Sequence, residues 1–293
     1  MSRIAVIGAT GLLGKPVTQE LIKAGFEVTV IARDIENARD LFPHAHIVYG
    51  DLEDKMSLFE ALKGQELVYL SLHIPQNASP KDFMPETDGL LHLIEAAKVN
   101  HIQRIAYLSS LVKDYQGQNG FNWWVFEVKK KAVQILKGAG IPSTIFYPSS
   151  FMENFDKGGF MAGNRMNLAG KSNVKLFWIS ASDYGKQVAK SFEILTDENR
   201  EYPIQGLEAY TTEEAVNIFI KNYQLKKLKI VKVPIALLQI MGKIFKKVNY
   251  IAHILEALNK YPEKFVSQQS WDELGKPTET IKDYTLRIQK GKA

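Results

Sequence analysis

The chain has 293 residues, 45% of them apolar, enough to bury the core of one large domain or of a domain with a smaller lobe. It has no cysteine, which excludes disulfides, cysteine–zinc sites and thiol nucleophiles. The net charge of +5 comes from 37 basic and 32 acidic residues. Much of the excess lies in Lys129-Lys130-Lys131 and between Lys221 and Lys247, where aromatic residues are not interleaved in a stacking pattern, so solvated helix faces are expected and no nucleic-acid groove. No run approaches the ~18 apolar residues of a membrane span, and no basic leader or cleavage site precedes the first strand, so a cytoplasmic protein without a membrane span is expected.

In chain order, Ile4 to Ile7 reads as a buried strand that stops at Gly8, and a helical pattern begins near Leu12 and runs to Ala24. The loop between them is Gly8-Ala-Thr-Gly-Leu-Leu-Gly14. Backbone N–H groups at such a strand-to-helix turn are unpaired, and the helix dipole favours negative charge, so a phosphate fits there. Gly8 lets the chain turn, Gly11 lets a pyrophosphate approach, and Gly14 lets the helix pack close to the sheet. The spacing is G-x-x-G-x-x-G and departs from G-x-G-x-x-G, and such glycines also serve turns that hold no ligand. Their place between a strand and a helix favours a dinucleotide loop. Thr10, Leu12 and Leu13 belong to it and join the three glycines as cofactor-binding candidates.

Glu27 to Ala32 is a second strand, ending in Arg33-Asp34. An acidic residue here takes the ribose hydroxyls of NAD, whereas an arginine accommodates the 2′-phosphate of NADP. Arg33 favours NADP(H), and Asp34 keeps NAD(H) open. A third strand, Ala45 to Tyr49, leads into Gly50-Asp51-Leu52. Asp51 is either a turn residue before a helix opening near Ser57 or, with Leu52, part of an adenine site. Glu66 to Leu72 is a fourth strand, which puts Leu72 and His73 at the sheet's carboxyl edge, although a lone histidine is commonly structural. A helix from Asp82 to Asn100 crosses to a fifth strand, Arg104 to Ser109. A helix over 122–139 then leads to a sixth, Ser143 to Tyr147. This alternation implies a doubly wound parallel α/β sheet of Rossmann type with right-handed crossovers.

Further on, Gly158-Gly159 and Gly163 to Gly170 suggest a mobile loop before a short strand from Val174 to Ile179. A helix over Asp183 to Leu195 and a strand at Tyr202 to Ile204 follow. Thr212, with Glu213 and Glu214 in the first turn, opens another helix. Leu228 to Val233 is a strand, Pro234 starts an apolar helix from Ile235 to Phe245, and a last helix spans Tyr250 to Leu258. These helices either lie on a membrane surface or, the preferred reading, form a small lobe over the ligand edge. Trp271 to Lys276 and the tail carry no chemical signal. The expected layout is a nucleotide-binding core over 1–155 and a mixed region over 156–293 that returns to the core and forms a smaller, mostly helical substrate lobe.

Together these motifs resemble the atypical short-chain dehydrogenase/reductases, above all the NmrA-like branch with its isoflavone-reductase and quinone-reductase relatives. The 8–14 loop and Arg33 carry the resemblance. So do Val125-Phe-Glu-Val-Lys129 ahead of Gly140-Ile-Pro142, Tyr147-Pro-Ser-Ser-Phe-Met-Glu-Asn154, and Trp178-Ile-Ser-Ala-Ser-Asp183-Tyr-Gly185. It covers roughly residues 3 to 225. It implies an NADP site in a Rossmann core, with Tyr147 and Ser149 in the segment that passes the nicotinamide end.

Catalysis is where the chain departs from the wider superfamily. Short-chain reductases commonly carry Tyr-x-x-x-Lys, in which the ammonium favours the phenolate and brings the acid nearer neutral pH. Read ungapped against Gly140-Ile-Pro142, Lys129 takes the lysine place and Val125 the tyrosine's; a shift of one gives Lys130 and Phe126. Neither side chain donates a proton. By analogy with the isoflavone-reductase branch, Lys129 binds the cofactor ribose or protonates a reduced substrate, provided burial lowers its pKa. The alternative is that the three lysines form the wet face of a helix. Ser109 or Ser110 stands where these reductases keep a serine that orients the carbonyl, and a serine that bonds backbone is the alternative there. The expected activity is NADPH-dependent oxidoreduction of a small carbonyl or quinone-like substrate, with no metal. An NAD(P)-sensing regulator with a protein partner and a sugar-nucleotide epimerase-like enzyme are the alternatives. Substrate identity and oligomeric state stay open at this level.

Overall fold

Strands buried on both faces set the architecture, and a computed structural model describes residues 2–290. Every residue from Ile4 to Ile7 is buried in β1 (Arg3–Ile7), as a central parallel strand requires. It feeds α1 (Gly14–Lys23), β2 (Glu27–Ala32), α2 (Ile35–Leu41), β3 (His46–Tyr49), α3 (Lys55–Ala61) and β4 (Leu67–Leu70). A single π-helical turn, Pro85–Gly89, then runs into α4 (Leu90–Val99), followed by β5 (Arg104–Leu108), α5 (Trp124–Lys137) and β6 (Ser143–Pro148). Beyond these lie β7 (Met161–Ala162), β8 (Arg165–Ala169), β9 (Leu176–Phe177), α6 (Ala181–Ser191), β10 (Arg200–Ile204) and β11 (Ala209–Tyr210). The chain closes with α7 (Thr212–Asn222), β12 (Lys229–Val233), α8 (Ile235–Gly242), α9 (Lys246–Lys260), α10 (Gln268–Leu274) and α11 (Ile281–Lys290).

The main sheet has seven strands in the order β10-β6-β5-β4-β1-β2-β3, and all six pairings are parallel. This is the doubly wound Rossmann-type arrangement. Its order reverses between β1 and β4, which opens a crevice outside the carboxyl ends of those strands. One apolar layer packs α1 and α6 on one face through Val17, Leu21, Tyr184 and Val188; a second packs α3, α4 and α5 on the other through Leu58, Leu93 and Leu136.

Several elements differ from the sequence reading. The expected sequence of elements runs from the second strand to the third without a helix, yet α2 lies between them, with Asp34 capping it. The glycine-dense stretch expected to be a loop forms a hairpin: β7 pairs antiparallel with β8, and Gly163 turns between them at φ +60°. β8 in turn pairs parallel with β12. The cap of α7 is Thr211, one residue before the expected Thr212, with Glu214 completing a capping box. The tail returns to the core: Gln187 donates to the Gly275 carbonyl (2.7 Å) and Tyr202 to the Glu273 carboxylate (2.6 Å).

Downstream of β6, a separate apolar cluster joins Phe155, Met166, Trp178 and Phe219. α9 covers aromatic residues beyond the ends of β4 and β5, where Tyr250, Ile254 and Ala257 meet Phe121, Trp123 and Phe126. α8 is little covered: of its eight residues only Gly242 is buried. No helix of the described residues is long and apolar enough to cross a membrane.

Candidate cofactor cleft and an adjoining buried charge cluster

The loop after β1 is shaped by two glycines. Gly8 has φ +84°, and a Cβ there would lie 2.2 Å from the Ser71 carbonyl oxygen beyond β4. At Gly14 a Cβ would lie 2.0 Å from the Gly8 carbonyl oxygen, so only glycine lets α1 begin this close to the strand. The Gly11 N–H donates to Gly8 O (3.1 Å) and the Lys15 N–H to Gly11 O (3.0 Å). The N–H groups of Thr10, Leu12 and Leu13 have no partner among the described residues, which leaves donors free where α1 begins.

This loop is one wall of a cleft of about 360 Å³ at the point where the strand order reverses. Gly8, Thr10, Gly11, Arg33, Asp51, Leu52, Leu72 and His73, all candidates from sequence, line it together. Leu12, Leu13 and Gly14 shape the loop without lining the cleft. Arg33 is exposed and has no hydrogen-bond or ion-pair partner among the described residues. Its neighbour is engaged: the Asp34 carboxylate accepts the Asn37 N–H (3.0 Å) and caps α2. Asp51 is both cleft wall and turn residue, since it accepts the Glu53 N–H (3.1 Å), and the cap of α3 is Asp54. Free backbone donors and a close-packed glycine turn fit a dinucleotide, with the Arg33 guanidinium and the Asp34 carboxylate side by side in the wall where its ribose would lie.

The other four candidates lie outside this cleft. Lys129 is not on a wet face, as the alternative reading of the triple lysine had it. Its Nζ donates to Glu86 Oε1 (2.9 Å); Glu86 is fully buried, and the Lys129 side chain is 16% exposed. Lys131, two residues on, is exposed. Glu86 follows Pro85, a residue of the cleft wall, so the ion pair adjoins the cleft. Tyr107, buried on β5, faces the same carboxylate: burial first and then the Glu86 charge push its hydroxyl well above the usual range. Neither the Tyr107 hydroxyl nor Glu86 Oε2 has a hydrogen-bond partner among the described residues. Tyr250, from α9, feels both charges; burial raises its hydroxyl, the Lys129 ammonium lowers it and Glu86 raises it.

Ser109 is buried at the end of β5, its N–H bonded to Phe146 O (2.8 Å) and its Oγ without a partner among the described residues. Tyr147 donates to Glu201 Oε2 (2.5 Å), with Lys113 Nζ 4.2 Å from its ring centre. Burial, reinforced by Glu201, pushes its hydroxyl far up. Ser149 donates to Glu263 Oε2 (2.8 Å), and Gln205 donates to the other oxygen of that carboxylate (2.6 Å). Burial pushes Glu263 up to about 7. Glu86, Tyr107, Tyr250 and Glu263 were not singled out from sequence. Glu86 meets Lys129 across 43 residues of chain, and no local periodicity marks such a pairing.

Comparison with known proteins follows the same lines. The model of the NmrA-like family matches residues 1–284. The photosystem II assembly factor Ycf39 of Guillardia theta is 26% identical over 247 residues, covering 80% of this chain and 74% of that one. Phenylcoumaran benzylic ether reductase PT1 of Pinus taeda is 26% identical over 211 residues, 66% of this chain and 65% of that one. The NADPH-dependent quinone oxidoreductase QOR2 of Escherichia coli, solved with NADPH, superposes with a TM-score of 0.74. That match covers 98% of this chain and 99% of the other at 21% identity, a likeness of fold.

Proposed function

Since the chain belongs to the NmrA-like family, we propose that it is an NADPH-dependent oxidoreductase acting on a small carbonyl or quinone-like substrate. One observation carries the cofactor choice: Arg33 is unpaired at the cleft, while Asp34 beside it in the wall gives one carboxylate oxygen to capping α2. A guanidinium in that place forks onto a 2′-phosphate, and with Asp34 Oδ1 held by the Asn37 N–H, a grip on both ribose hydroxyls falls to Oδ2 alone. The free N–H groups of Thr10, Leu12 and Leu13 take the pyrophosphate, and Leu52 offers an apolar surface to the adenine. A bound nicotinamide supplies the hydride.

The chain's own part at the reacting end is to hold a proton and exclude water. Lys129, kept in place by Glu86, which Tyr107 also faces, and with Tyr250 near its ammonium, presents Nζ within a largely buried cluster. In this reading it serves a substrate oxygen that becomes basic on reduction, and Ser109 Oγ orients that oxygen. The tyrosine place of the superfamily is taken by Val125, which is buried. In this reading residues 1–155 carry the nucleotide site, and 156–293 return to the core through α6 and β10 and supply the substrate lobe.

Valine in place of a tyrosine four residues before Lys129 also favours a second reading, an NAD(P)-sensing regulator that binds the cofactor without turning it over. One experiment separates the two: NADPH consumption by the purified chain across a panel of quinones, aldehydes and enones, with cofactor binding measured in parallel. Turnover with any of these classes supports the reductase. Tight NADPH binding with no consumption overturns it in favour of the sensor.

A further inference from the structure

We propose that α8 and the turn into α9 form a docking surface for an anionic lipid bilayer. The sequence of α8, Ile-Ala-Leu-Leu-Gln-Ile-Met-Gly, has no charged residue, and only Gly242 is buried. Leu237, Ile240, Met241 and Ile244 are spaced to fall on one side of the helix and its closing turn, and they are 48, 63, 39 and 78% exposed. Phe245, next in the turn, is 56% exposed. Five of the fourteen exposed large apolar residues among the described ones thus fall within nine residues of chain, and the rest are scattered.

This face cannot turn inward. α9 packs beneath α8 at Gly242, where a Cβ would lie 2.8 Å from Asn249 Cα. The turn is closed by the N–H groups of Ile244 and Phe245 on the Met241 carbonyl (both 3.0 Å). The apolar side chains are therefore presented outward by a fixed scaffold.

Charge selects the occupant. Residues 221–247 contain eight lysines and no acidic residue. Lys232 pairs with Glu213, and Lys246 donates to Ser79 Oγ. Lys243 and Lys247, beside the apolar turn, have no ion-pair partner among the described residues. Glu256 of α9, the acid nearest along the chain to the turn on its far side, is already held by Gln239 and Lys260. A second copy of the chain on a two-fold axis would set these lysines against each other. A nucleic acid would leave Ile240 and Ile244 in water. An anionic bilayer answers both: acyl chains take the apolar face, and headgroups take the lysines. Eight residues of helix span only about 12 Å, so α8 lies in the interface and does not cross the ~30 Å hydrocarbon core. This inference does not depend on hydride transfer.

Sedimentation of the full chain with phosphatidylcholine vesicles, with and without phosphatidylglycerol, tests it. Binding should require phosphatidylglycerol and fall about tenfold or more at high salt. Ile240→Glu with Ile244→Glu should reduce it by a similar factor while leaving the circular dichroism and NADPH affinity unchanged. Lys243→Glu with Lys247→Glu should do the same. Absence of binding to phosphatidylglycerol vesicles overturns the proposal, as does binding that the isoleucine pair leaves intact. A dimer in analytical ultracentrifugation that the isoleucine pair dissolves would assign the face to a second copy and overturn it equally.

Discussion

Replacing Arg33 by alanine isolates the cofactor phosphate more cleanly than any other single change. Arg33 is exposed and makes no hydrogen bond or ion pair among the described residues, so its removal leaves no buried group unpaired and should not change the fold. A hydrogen bond to a charged group is worth about 1.5–3 kcal/mol, and solvent around an exposed guanidinium favours the lower half. The expected loss for NADP is therefore about 1.5–2 kcal/mol, roughly 10- to 30-fold in Kd. NAD carries no 2′-phosphate, and Asp34 stays on the Asn37 N–H in the variant, so NAD affinity should be nearly unchanged. Calorimetric titration of both cofactors into both proteins measures the difference. Added salt should weaken NADP binding to the unaltered chain more than to Arg33→Ala, because an exposed charge pair is screened. Equal losses for NADP and NAD, or no loss for either, would refute NADP selectivity through Arg33.

Gly14→Ala should lower Tm, since its Cβ would sit 2.0 Å from a backbone oxygen and overpacking costs about 1–3 kcal/mol, whereas Gly11→Ala meets only Gly8 O at 3.3 Å and should lose cofactor affinity with stability nearly kept. Burial pushes Glu153 up to about 7 from 4.5, so the folded state holds that proton more tightly than the unfolded chain; stability should fall as pH rises between about 4.5 and 7 and level off above. Glu153→Gln keeps an acceptor for the Ala181 N–H and should remove up to about 3 kcal/mol of that slope, read as Tm against pH, while Glu263, also raised to about 7, keeps a slope of its own. Lys129→Met should cost about 3–5 kcal/mol by leaving buried Glu86 uncompensated, and adding Glu86→Gln should recover most of it without recovering turnover. Turnover restored in the double variant would reduce Lys129 to a structural partner.

What the sequence disclosed was local. β1, its glycine turn and α1 are adjacent in the chain, and each follows from its own residues: an apolar run, a left-handed glycine and a helical period. Where local signals were weak the reading slipped. α2 has seven residues of which only Ala38 is buried, so it shows no apolar period, and Asp34, read as a ribose candidate, spends its carboxylate on capping it. The glycines from 158 to 170 suggested mobility because glycine is flexible in an unfolded chain; in the fold, Gly163 uses the same freedom to turn a hairpin whose second strand is anchored by β12, more than sixty residues away.

The two ends of the candidate site differ in kind, and this decides which end a sequence discloses. The phosphate end is made largely of backbone, with donors set by one turn and a single cation, Arg33, that forms no ion pair among the described residues although Asp34, Asp51 and Glu53 line the same cleft. The reacting end is made of side chains drawn together from distant segments: Glu86 with Lys129 across 43 residues, Tyr147 with Glu201 across 54, Ser149 with Glu263 across 114. Helical spacing puts Lys129 on the stripe of Val125, Phe126, Ala132 and Leu136, a signal that the run Lys129-Lys130-Lys131 masked, whereas no spacing within α5 points to Glu86 as its partner. Once paired, Lys129 and Glu86 bring no net charge to the reacting end, whereas Arg33 lines the cleft with its charge unmatched by any ion pair. In the proposed reading the pyrophosphate therefore sits at the turn after β1, the 2′-phosphate toward Arg33 after β2, and the reacting ring toward β5 and α5.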